Sequence, residues 1–264
     1  MTGRRRLGQH FLTDPHILER IVDALDPAPG SVVLEIGAGK GSLTAALVRR
    51  GLHVIAIEKD HPLAHRLEAA GTGAAVVTGD ALRLDWHALV AARHPAGGAW
   101  SVVGNIPYQI TSPLIEQALT APLPRRIVFL VQREVAERLA AAPGSKAYGA
   151  LSVGVQAVCR VDQLFGVAAG AFHPPPKVAS AVVRLVPLVE PLIGAKEAPR
   201  FRRFVTACFS RRRKQLRNVL MGATGRTAAV VAAGLEALGL DPRARPETLA
   251  PREFVRLLRW SDGL

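Results

Sequence analysis

The sequence predicts an α/β fold, in which a doubly wound, Rossmann-like sheet is followed by a small all-α C-terminal domain. Two observations predict this. Short apolar runs of the β type recur at near-regular intervals up to about residue 186, with helix-like stretches between them, and the remainder reads as helical. Strands that alternate with helices form βαβ units, which build a parallel sheet with helices on both faces.

The predicted strands are short and rich in Val and Ile. They are Val32 to Ile36, His53 to Glu58, Ala74 to Thr78, Ser101 to Val103 and Ile127 to Val131. Apolar residues at helical spacing predict helices at Ser42 to Arg50 and Ser112 to Leu119. Two later apolar runs, Leu151 to Ala157 and Ala179 to Val186, indicate further strands, which we expect to be antiparallel. The Pro-rich loop Phe172 to Lys177 lies between them.

The domain boundary is predicted at Val186, because a segment rich in Pro and Gly, Val186 to Pro199, follows the last predicted strand. This gives a ligand-binding, catalytic domain of residues 1–186 and a helical domain of residues 187–264. Thr227 to Leu238 and Pro251 to Trp260 are the clearest helices of the second domain.

The chain is strongly basic, with 34 Lys and Arg residues against 21 Asp and Glu residues and a formal net charge of +13. Arg accounts for 28 of the 34. Because the planar guanidinium group binds phosphate bidentately and stacks on bases, a nucleic acid fits this excess better than a membrane does. The 78 residues after Val186 carry +8 of the charge.

The highest density of positive charge lies between Lys196 and Arg217, where nine residues are basic and one is acidic. Apolar residues at helical spacing allow one face of this segment to pack while the basic side chains stay in solvent. A solvated basic face is one interpretation. The charge of the whole chain favours a surface that binds RNA phosphates. Its predicted residues are Arg211, Arg212, Arg213, Lys214 and Arg217.

Three features concern the cellular environment. No run of about 18 apolar residues exists, so no membrane-spanning helix is expected. The basic residues 4–6 continue into polar Gln9 and His10 rather than into the apolar segment of a signal peptide. Cys159 and Cys208 form no pair motif. A reduced, cytoplasmic protein is therefore expected.

A glycine-rich turn follows the first predicted strand. Its glycines, Gly37, Gly39 and Gly41, let the backbone turn tightly and approach a ligand closely. Alone the turn is weak support, because NAD-binding folds share it. The spacing Gly-x-Gly-x-Gly, two residues after Glu35, differs from the dinucleotide pattern and favours S-adenosylmethionine.

Two acidic residues make the cofactor prediction more specific. Glu58 ends the second predicted strand and Asp80 follows the third, and the carboxyl ends of parallel strands share one crevice. Glu58 is placed to accept both ribose hydroxyls of an adenosine moiety, and Asp80 to accept the exocyclic amine of its adenine. The alternative for each acid is to cap the next helix.

The sequence Asn105-Ile106-Pro107-Tyr108 ends the fourth predicted strand. The Asn105 side chain and the Ile106 backbone offer two carbonyl acceptors for an amine with two N–H donors, and Pro107 holds Ile106 extended. Tyr108 offers a flat face to a base taken out of its stack. Hydrogen bonds to both protons of adenine N6 would expose its delocalised lone pair to a sulfonium methyl, so positioning supplies most of the catalysis. A proline turn with a core tyrosine is the alternative.

Over nearly its whole length the chain resembles the ribosomal RNA adenine N6-dimethyltransferases, the small-subunit dimethyladenosine transferase family. The resemblance is carried by residues 8–12, 35–41, 105–111, 131–136, 144–149, 172–178, 180–185 and 212–218. It implies cofactor contacts at His10, Leu12, Gly37, Glu58, Asp80 and Asn105, and adenine contacts at Asn105, Ile106, Tyr108 and Phe172.

The resemblance also implies a reaction and a substrate. Two methyl groups would be transferred to each of two adjacent adenines in a hairpin near the 3′ end of small-subunit rRNA, on a pre-assembled subunit. Three positions depart from the family pattern. His10 stands where Asn is usual and affects the contact to the methionine end of the cofactor, Gln109 replaces a commoner Asn, and Ala150 a common Arg.

Other functions remain as alternatives. Residues 103–108 are also similar to the large-subunit rRNA methyltransferases that confer macrolide resistance, whereas residues 172–177 and 212–218 favour the small-subunit branch. The basic C-terminal section would also suit a ribosome-assembly checkpoint that does not depend on catalysis. The Asn-x-Pro-Tyr motif by itself would permit a DNA adenine methyltransferase.

Phe172 precedes three prolines in a stiff, polyproline II-like segment. We expect its ring to press onto the second face of the target base, where stacking is worth about 1–3 kcal/mol. The alternative is a core residue beneath a loop. His61 and His65 are four residues apart, but without a third ligand at matching spacing no metal site is expected. A monomer is expected.

Overall fold

The computed structural model describes residues 9–94, 98–210 and 214–262. The chain forms two compact units. The first consists of Met1–Ala136 and Asp162–Val186, and the second of Glu137–Val161 and Pro187–Leu264. The chain therefore passes from one unit to the other three times.

The first unit is built on a seven-stranded sheet. The strands of this sheet are β2 (Val32–Ile36), β3 (His53–Glu58), β4 (Ala75–Thr78), β5 (Trp100–Asn105), β6 (Arg126–Gln132), β7 (Cys159–Val167) and β9 (Ser180–Pro187). Their order in the sheet is β4-β3-β2-β5-β6-β9-β7. β2 to β6 pair in parallel, and β9 pairs antiparallel with β6. The predicted fold class is confirmed.

The centre of this sheet is covered on both faces, as β2 shows. All five of its residues are buried. Because a strand buried on both faces has no solvent side, its sequence is a continuous apolar run rather than an alternation. Glu35 is the exception within that run and is therefore a buried carboxyl group.

Helices precede, connect and follow the parallel strands. They are α1 (Pro15–Ala24), α2 (Ser42–Arg49), α3 (His61–Ala69), α4 (Trp86–Arg93), α5 (Thr111–Ala118) and α6 (Arg133–Ala140), the last of which continues into the second unit. Asp14, Asp60 and Asp85 each accept a backbone N–H of the first turn and so begin α1, α3 and α4.

A second, two-stranded sheet ties the N-terminal segment to the loop before β9. β1 (Phe11–Leu12) pairs antiparallel with β8 (Phe172–His173), so that Leu12 lies opposite Phe172. The backbone N–H of Thr13 extends this pairing by donating to the carbonyl of Ala171 at 2.8 Å. The segment from residue 10 to residue 13 is thereby fixed beside the sheet.

The second unit is helical. It contains α7 (Ala150–Gln156), α8 (Ala198–Phe209), α9 (Leu216–Thr224), α10 (Ala228–Ala237) and α11 (Pro251–Asp262). Phe201, Phe254 and Tyr148 are fully buried, and the Tyr148 hydroxyl donates to the carbonyl of Leu249 at 2.8 Å. Among the described residues, no helix has the length and apolar character needed to cross a bilayer.

One predicted strand is wrong. Leu151 to Gln156 lie in α7, Ala157 is its C-cap, and the strand begins later, at Cys159. Short apolar runs are compatible with a buried helix as well as with a buried strand. Here Gly149 is the N-cap residue of the helix, and its N–H donates to the Ser152 hydroxyl at 3.1 Å. The second unit therefore includes residues 137–161 as well as the residues after Val186.

Candidate active site

The three side chains and the glycine turn predicted at strand ends lie along one edge of the sheet. β4, β3, β2 and β5 are consecutive neighbours. Asp80 follows β4, Glu58 ends β3, the glycine turn follows β2 and Asn105 ends β5. Since these strands are parallel, their carboxyl ends face one crevice.

The glycine turn has a backbone that favours glycine. The φ angles of Gly37, Gly39 and Gly41 are +73°, +57° and +83°. A Cβ atom on Gly39 would also lie 3.0 Å from Cδ1 of Phe11. Gly39 is thus required both for its conformation and for the close approach of the N-terminal segment.

Two glutamates lie beneath this turn. Glu35 is buried and accepts a hydrogen bond from the Thr44 hydroxyl at 2.6 Å. Burial raises its pKa to about 7, and the charge of Glu58 acts in the same direction. Both oxygens of Glu58 accept backbone N–H groups, from Gly39 at 2.7 Å and from Asp60 at 2.8 Å. Helix α3 is capped by Asp60 instead of Glu58.

Asp80 lies in the turn after β4. Its Oδ2 accepts from Nζ of Lys59 at 2.8 Å and its Oδ1 accepts from the N–H of Leu82 at 3.1 Å. The hydrogen bond from Lys59 holds the pKa of Asp80 below its ordinary value. The next helix, α4, is capped by Asp85.

The residues from Asn105 to Tyr108 are fixed by contacts from distant parts of the chain. The Asn105 side-chain nitrogen donates to the carbonyl of His10 at 2.8 Å. The side-chain oxygen of Asn105 is therefore left to accept a hydrogen bond from a ligand. Ile106 is buried and Pro107 is exposed. The Tyr108 hydroxyl is 2.7 Å from the Ser180 hydroxyl.

Sequence reasoning missed Ser180, which is fully buried at the start of β9. Its partner, Tyr108, lies 72 positions away, and no sequence spacing identifies that partner. A polar residue at the start of a predicted buried strand is the one signal that could have found it, because buried polar groups require partners.

The N-terminal segment closes one side of this region. Nδ1 of His10 is 2.8 Å from the carbonyl oxygen of Pro174, and its ring stacks at 6.1 Å on Tyr108. Leu12 is buried at the edge of the cleft. His10 therefore joins the loop before β9 to the predicted adenine site.

Phe172 is 4% exposed and belongs to the hydrophobic core of the first unit. Its burial follows from the pairing of β8 with β1, which places Leu12 opposite it. Phe172 is thus a core residue in this structure, as the alternative interpretation expects. Its stacking on a target base stays a prediction.

The predicted phosphate-binding residues are only partly within the described chain. Arg211, Arg212 and Arg213 lie outside the described residues. Lys214 is exposed, and Arg217 is half-buried near the start of α9. Nε of Arg217 is a buried donor without a hydrogen-bond partner in the described structure.

A cleft of about 350 Å³, its open mouth included, lies against the glycine turn. Its walls include Leu12, Leu18, Leu43, Glu35 and Asn105. Apolar walls with a few fixed acceptors suit a nucleoside carrying an aliphatic chain. Glu58 and Asp80 add carboxylate acceptors at the adjoining strand ends, so the residues present fit S-adenosylmethionine.

Comparisons with known proteins agree with this geometry. The model of the ribosomal RNA adenine dimethylase family matches residues 1–259. The ribosomal RNA small subunit methyltransferase A of Idiomarina loihiensis is 42% identical over 262 residues, which cover 98% of this chain and 87% of the relative.

Two crystal structures are similar over the full fold. A dimethyladenosine transferase from Plasmodium falciparum is 28% identical with a TM-score of 0.78, covering 94% of this chain and 96% of that one. The 23S rRNA methyltransferase ErmE is 27% identical with a TM-score of 0.71, covering 96% and 99%. The predicted cofactor and enzyme class are confirmed by these matches, and the chain belongs to the S-adenosylmethionine-dependent ribosomal RNA adenine dimethylase family.

Proposed function

We propose that the chain transfers methyl groups from S-adenosylmethionine to N6 of two adjacent adenines in a hairpin near the 3′ end of small-subunit rRNA, with a role in small-subunit biogenesis. The observation that carries this is the position of Asn105 to Tyr108 at the end of β5, directly beside the glycine turn after β2. The name of the Idiomarina relative supports the small subunit as the target.

The cofactor would be held by the four strand ends. The backbone at Gly37 and Gly39 approaches it closely, Glu58 accepts its ribose hydroxyls and Asp80 accepts its adenine amine. His10 and Leu12 close the side next to the N-terminal segment. When bound, S-adenosylmethionine supplies an electrophilic methyl group on a sulfonium sulfur.

The chain's own contribution to methyl transfer is the orientation of the target amine. The Asn105 side-chain oxygen and the Ile106 carbonyl would accept the two N–H groups of the unmethylated amine, and one of them the single N–H that is left after a first transfer, and so direct the nitrogen lone pair toward the methyl group. Each transfer would form an N–CH3 bond as the S–CH3 bond breaks, and the nitrogen would then lose one proton to water. The His10 carbonyl fixes the Asn105 amide through its nitrogen at 2.8 Å. Because positioning accounts for most of such a displacement, no strong base has to be placed beside the nitrogen.

Tyr108 would stack on the flipped adenine. Its hydroxyl is held by Ser180 at 2.7 Å, and its ring by His10. Both contacts restrict the rotamer of the ring before a base arrives, which lowers the entropy cost of stacking. Phe172 would have to move from its buried position to cover the second face of the base.

The central experiment is an Asn105→Ala substitution. Methylated adenines are mapped on small-subunit rRNA, before and after incubation of under-methylated subunits with cofactor and protein. We expect loss of dimethyladenosine while S-adenosylmethionine still binds by calorimetry, and full activity in a Gln163→Ala control, which removes an exposed amide from β7. Methylation at the parent rate by the Asn105→Ala variant would refute the mechanism, and methylation of large-subunit rRNA or duplex DNA instead would refute the target.

We also propose that Arg211, Arg212, Arg213, Lys214 and Arg217 bind RNA phosphates. The +8 charge after Val186 supports this. Replacing residues 211–213 by Ala should lower the slope of log binding constant against log salt concentration by roughly 0.7–0.9 for each phosphate that is no longer neutralised. An unchanged slope would contradict the assignment.

The cellular setting follows from this substrate. We propose that a monomer acts in the cytoplasm on a pre-assembled small subunit. The two free, buried cysteines, Cys159 and Cys208, suit a reducing compartment. Light scattering of the free protein tests the monomer, and binding to partly assembled against mature subunits tests the substrate.

A further inference from the structure

Lys59 lies between the two acids assigned to the cofactor's adenosine. It directly follows Glu58, and its Nζ donates to Oδ2 of Asp80 at 2.8 Å. We propose that Lys59 is a positioning residue that fixes the Asp80 carboxylate for the exocyclic amine of adenine and thereby sets the nucleobase specificity of the cofactor site. The inference rests on the proposed function, in particular on the role of Asp80.

The Asp80 carboxylate is held at both oxygens. Lys59 binds Oδ2, and the N–H of Leu82 donates to Oδ1 at 3.1 Å. Two contacts on different oxygens fix the plane of the carboxylate, whereas one contact would leave it free to rotate. Each oxygen has about two acceptor positions, so each keeps one position for an incoming N–H.

The same short segment also holds the ribose acceptor. The N–H of Asp60 donates to Oε1 of Glu58 at 2.8 Å, and the N–H of Gly79 donates to the Glu58 carbonyl at 2.9 Å. Residues 58–60 therefore connect the end of β3 to the turn that carries Asp80. A side chain at position 59 that reaches Asp80 fixes the ribose acceptor and the base acceptor relative to each other.

The charge of Lys59 adds to this geometric effect. An ionised carboxylate accepts hydrogen bonds and cannot donate them. It therefore favours the amine of adenine and disfavours a carbonyl oxygen at the same ring position. Lys59 stabilises that ionised form, as the lowered pKa of Asp80 shows. The Lys59 side chain is 60% exposed and that of Asp80 22%, so we expect a moderate effect on binding.

The test compares binding of S-adenosylhomocysteine with that of S-inosylhomocysteine, whose base has a carbonyl oxygen in place of the amine. Dissociation constants are measured by calorimetry on the full chain, without RNA. For Lys59→Met we expect the preference for the adenine compound to fall roughly three- to tenfold, the size expected when one charge-assisted hydrogen bond and its ordering effect are removed. Lys59→Arg should retain the preference. Arg66→Met, which removes an exposed charge from α3, should leave it unchanged.

The outcomes separate a positioning role from a general one. An equal loss of affinity for both compounds in Lys59→Met would indicate a structural effect and overturn the proposal. Tighter binding of the adenine compound by Lys59→Met would also overturn it, because Lys59 would then compete with the adenine amine for Asp80. If Asp80→Asn lost the preference for the adenine compound while Lys59→Met kept it, the role of Lys59 would be refuted and that of Asp80 would stand. An unchanged preference in Asp80→Asn would refute both the Lys59 proposal and the cofactor role of Asp80.

Discussion

Substitution of Glu35 by Gln should change how the stability of the protein depends on pH. Glu35 is 1% exposed in the middle of the sheet and accepts from Thr44 at 2.6 Å. Burial, with a smaller contribution from the charge of Glu58, raises its pKa from 4.5 to about 7. Gln has nearly the same shape and keeps an oxygen for the Thr44 hydroxyl, but it does not ionise.

The sign follows from proton uptake. Between about pH 4.5 and pH 7 the unfolded chain has lost the Glu35 proton while the folded chain keeps it, so folding binds a proton and stability falls as pH rises. The stabilising contribution of the protonated Glu35 carboxyl is fully present below about pH 4.5 and is lost as the pH rises through about 7. A difference of about 2.5 in pKa corresponds to about 3 kcal/mol.

Urea denaturation of both proteins at pH 5, 6, 7 and 8 provides the measurement. The free energy of unfolding of Glu35→Gln, minus that of the parent, should increase by about 2.5 kcal/mol across this range, because the first part of the change occurs below pH 5. Glu68→Gln, an exposed change on α3, should show no such trend. If the Glu35→Gln and parent curves stayed parallel from pH 5 to pH 8, the carboxyl would ionise normally and the reasoning would fail.

Three further predictions concern packing and hydrogen bonds. Gly104→Ala places a Cβ atom 2.6 Å from the carbonyl oxygen of Ile36, which should cost about 1–3 kcal/mol in urea denaturation; an unchanged midpoint would contradict this. Tyr148→Phe leaves a buried carbonyl of the second unit without its 2.8 Å donor, and a loss of about 1–3 kcal/mol is expected by the same method. Ser180→Ala removes the partner of the Tyr108 hydroxyl, so kcat should fall roughly two- to tenfold with cofactor affinity unchanged in calorimetry; equal loss of both would indicate a disturbed fold.

The central strands were predictable because their burial leaves a direct trace in the sequence. Val32 to Ile36 and His53 to Glu58 have the bounds predicted for them, since continuous Val and Ile runs mark strands covered on both faces. The run at Leu151 to Ala157 is also short and mostly apolar, but it forms helix α7. Composition alone does not separate the two cases when a run is only about seven residues long.

The strand-end residues were predictable because a parallel sheet places its carboxyl ends together. The contacts that orient them were not. Asn105 is held by His10, which lies 95 positions away, and Asp80 by Lys59. Such contacts depend on how segments cross in space, for which neither spacing nor periodicity provides a signal. The burial of Phe172 likewise depends on pairing with Leu12 at the other end of the first unit's sequence.

The threefold passage of the chain between its units affects how this protein can be divided. Residues 137–161 are synthesised before residues 162–186 of the first unit, whereas the other helices of the second unit follow them. The helical unit is consequently a discontinuous module, which cannot be exchanged between relatives or removed by one cut near residue 187 without leaving α7 behind. Recombination within this family would have to transfer both stretches together to give an intact helical unit.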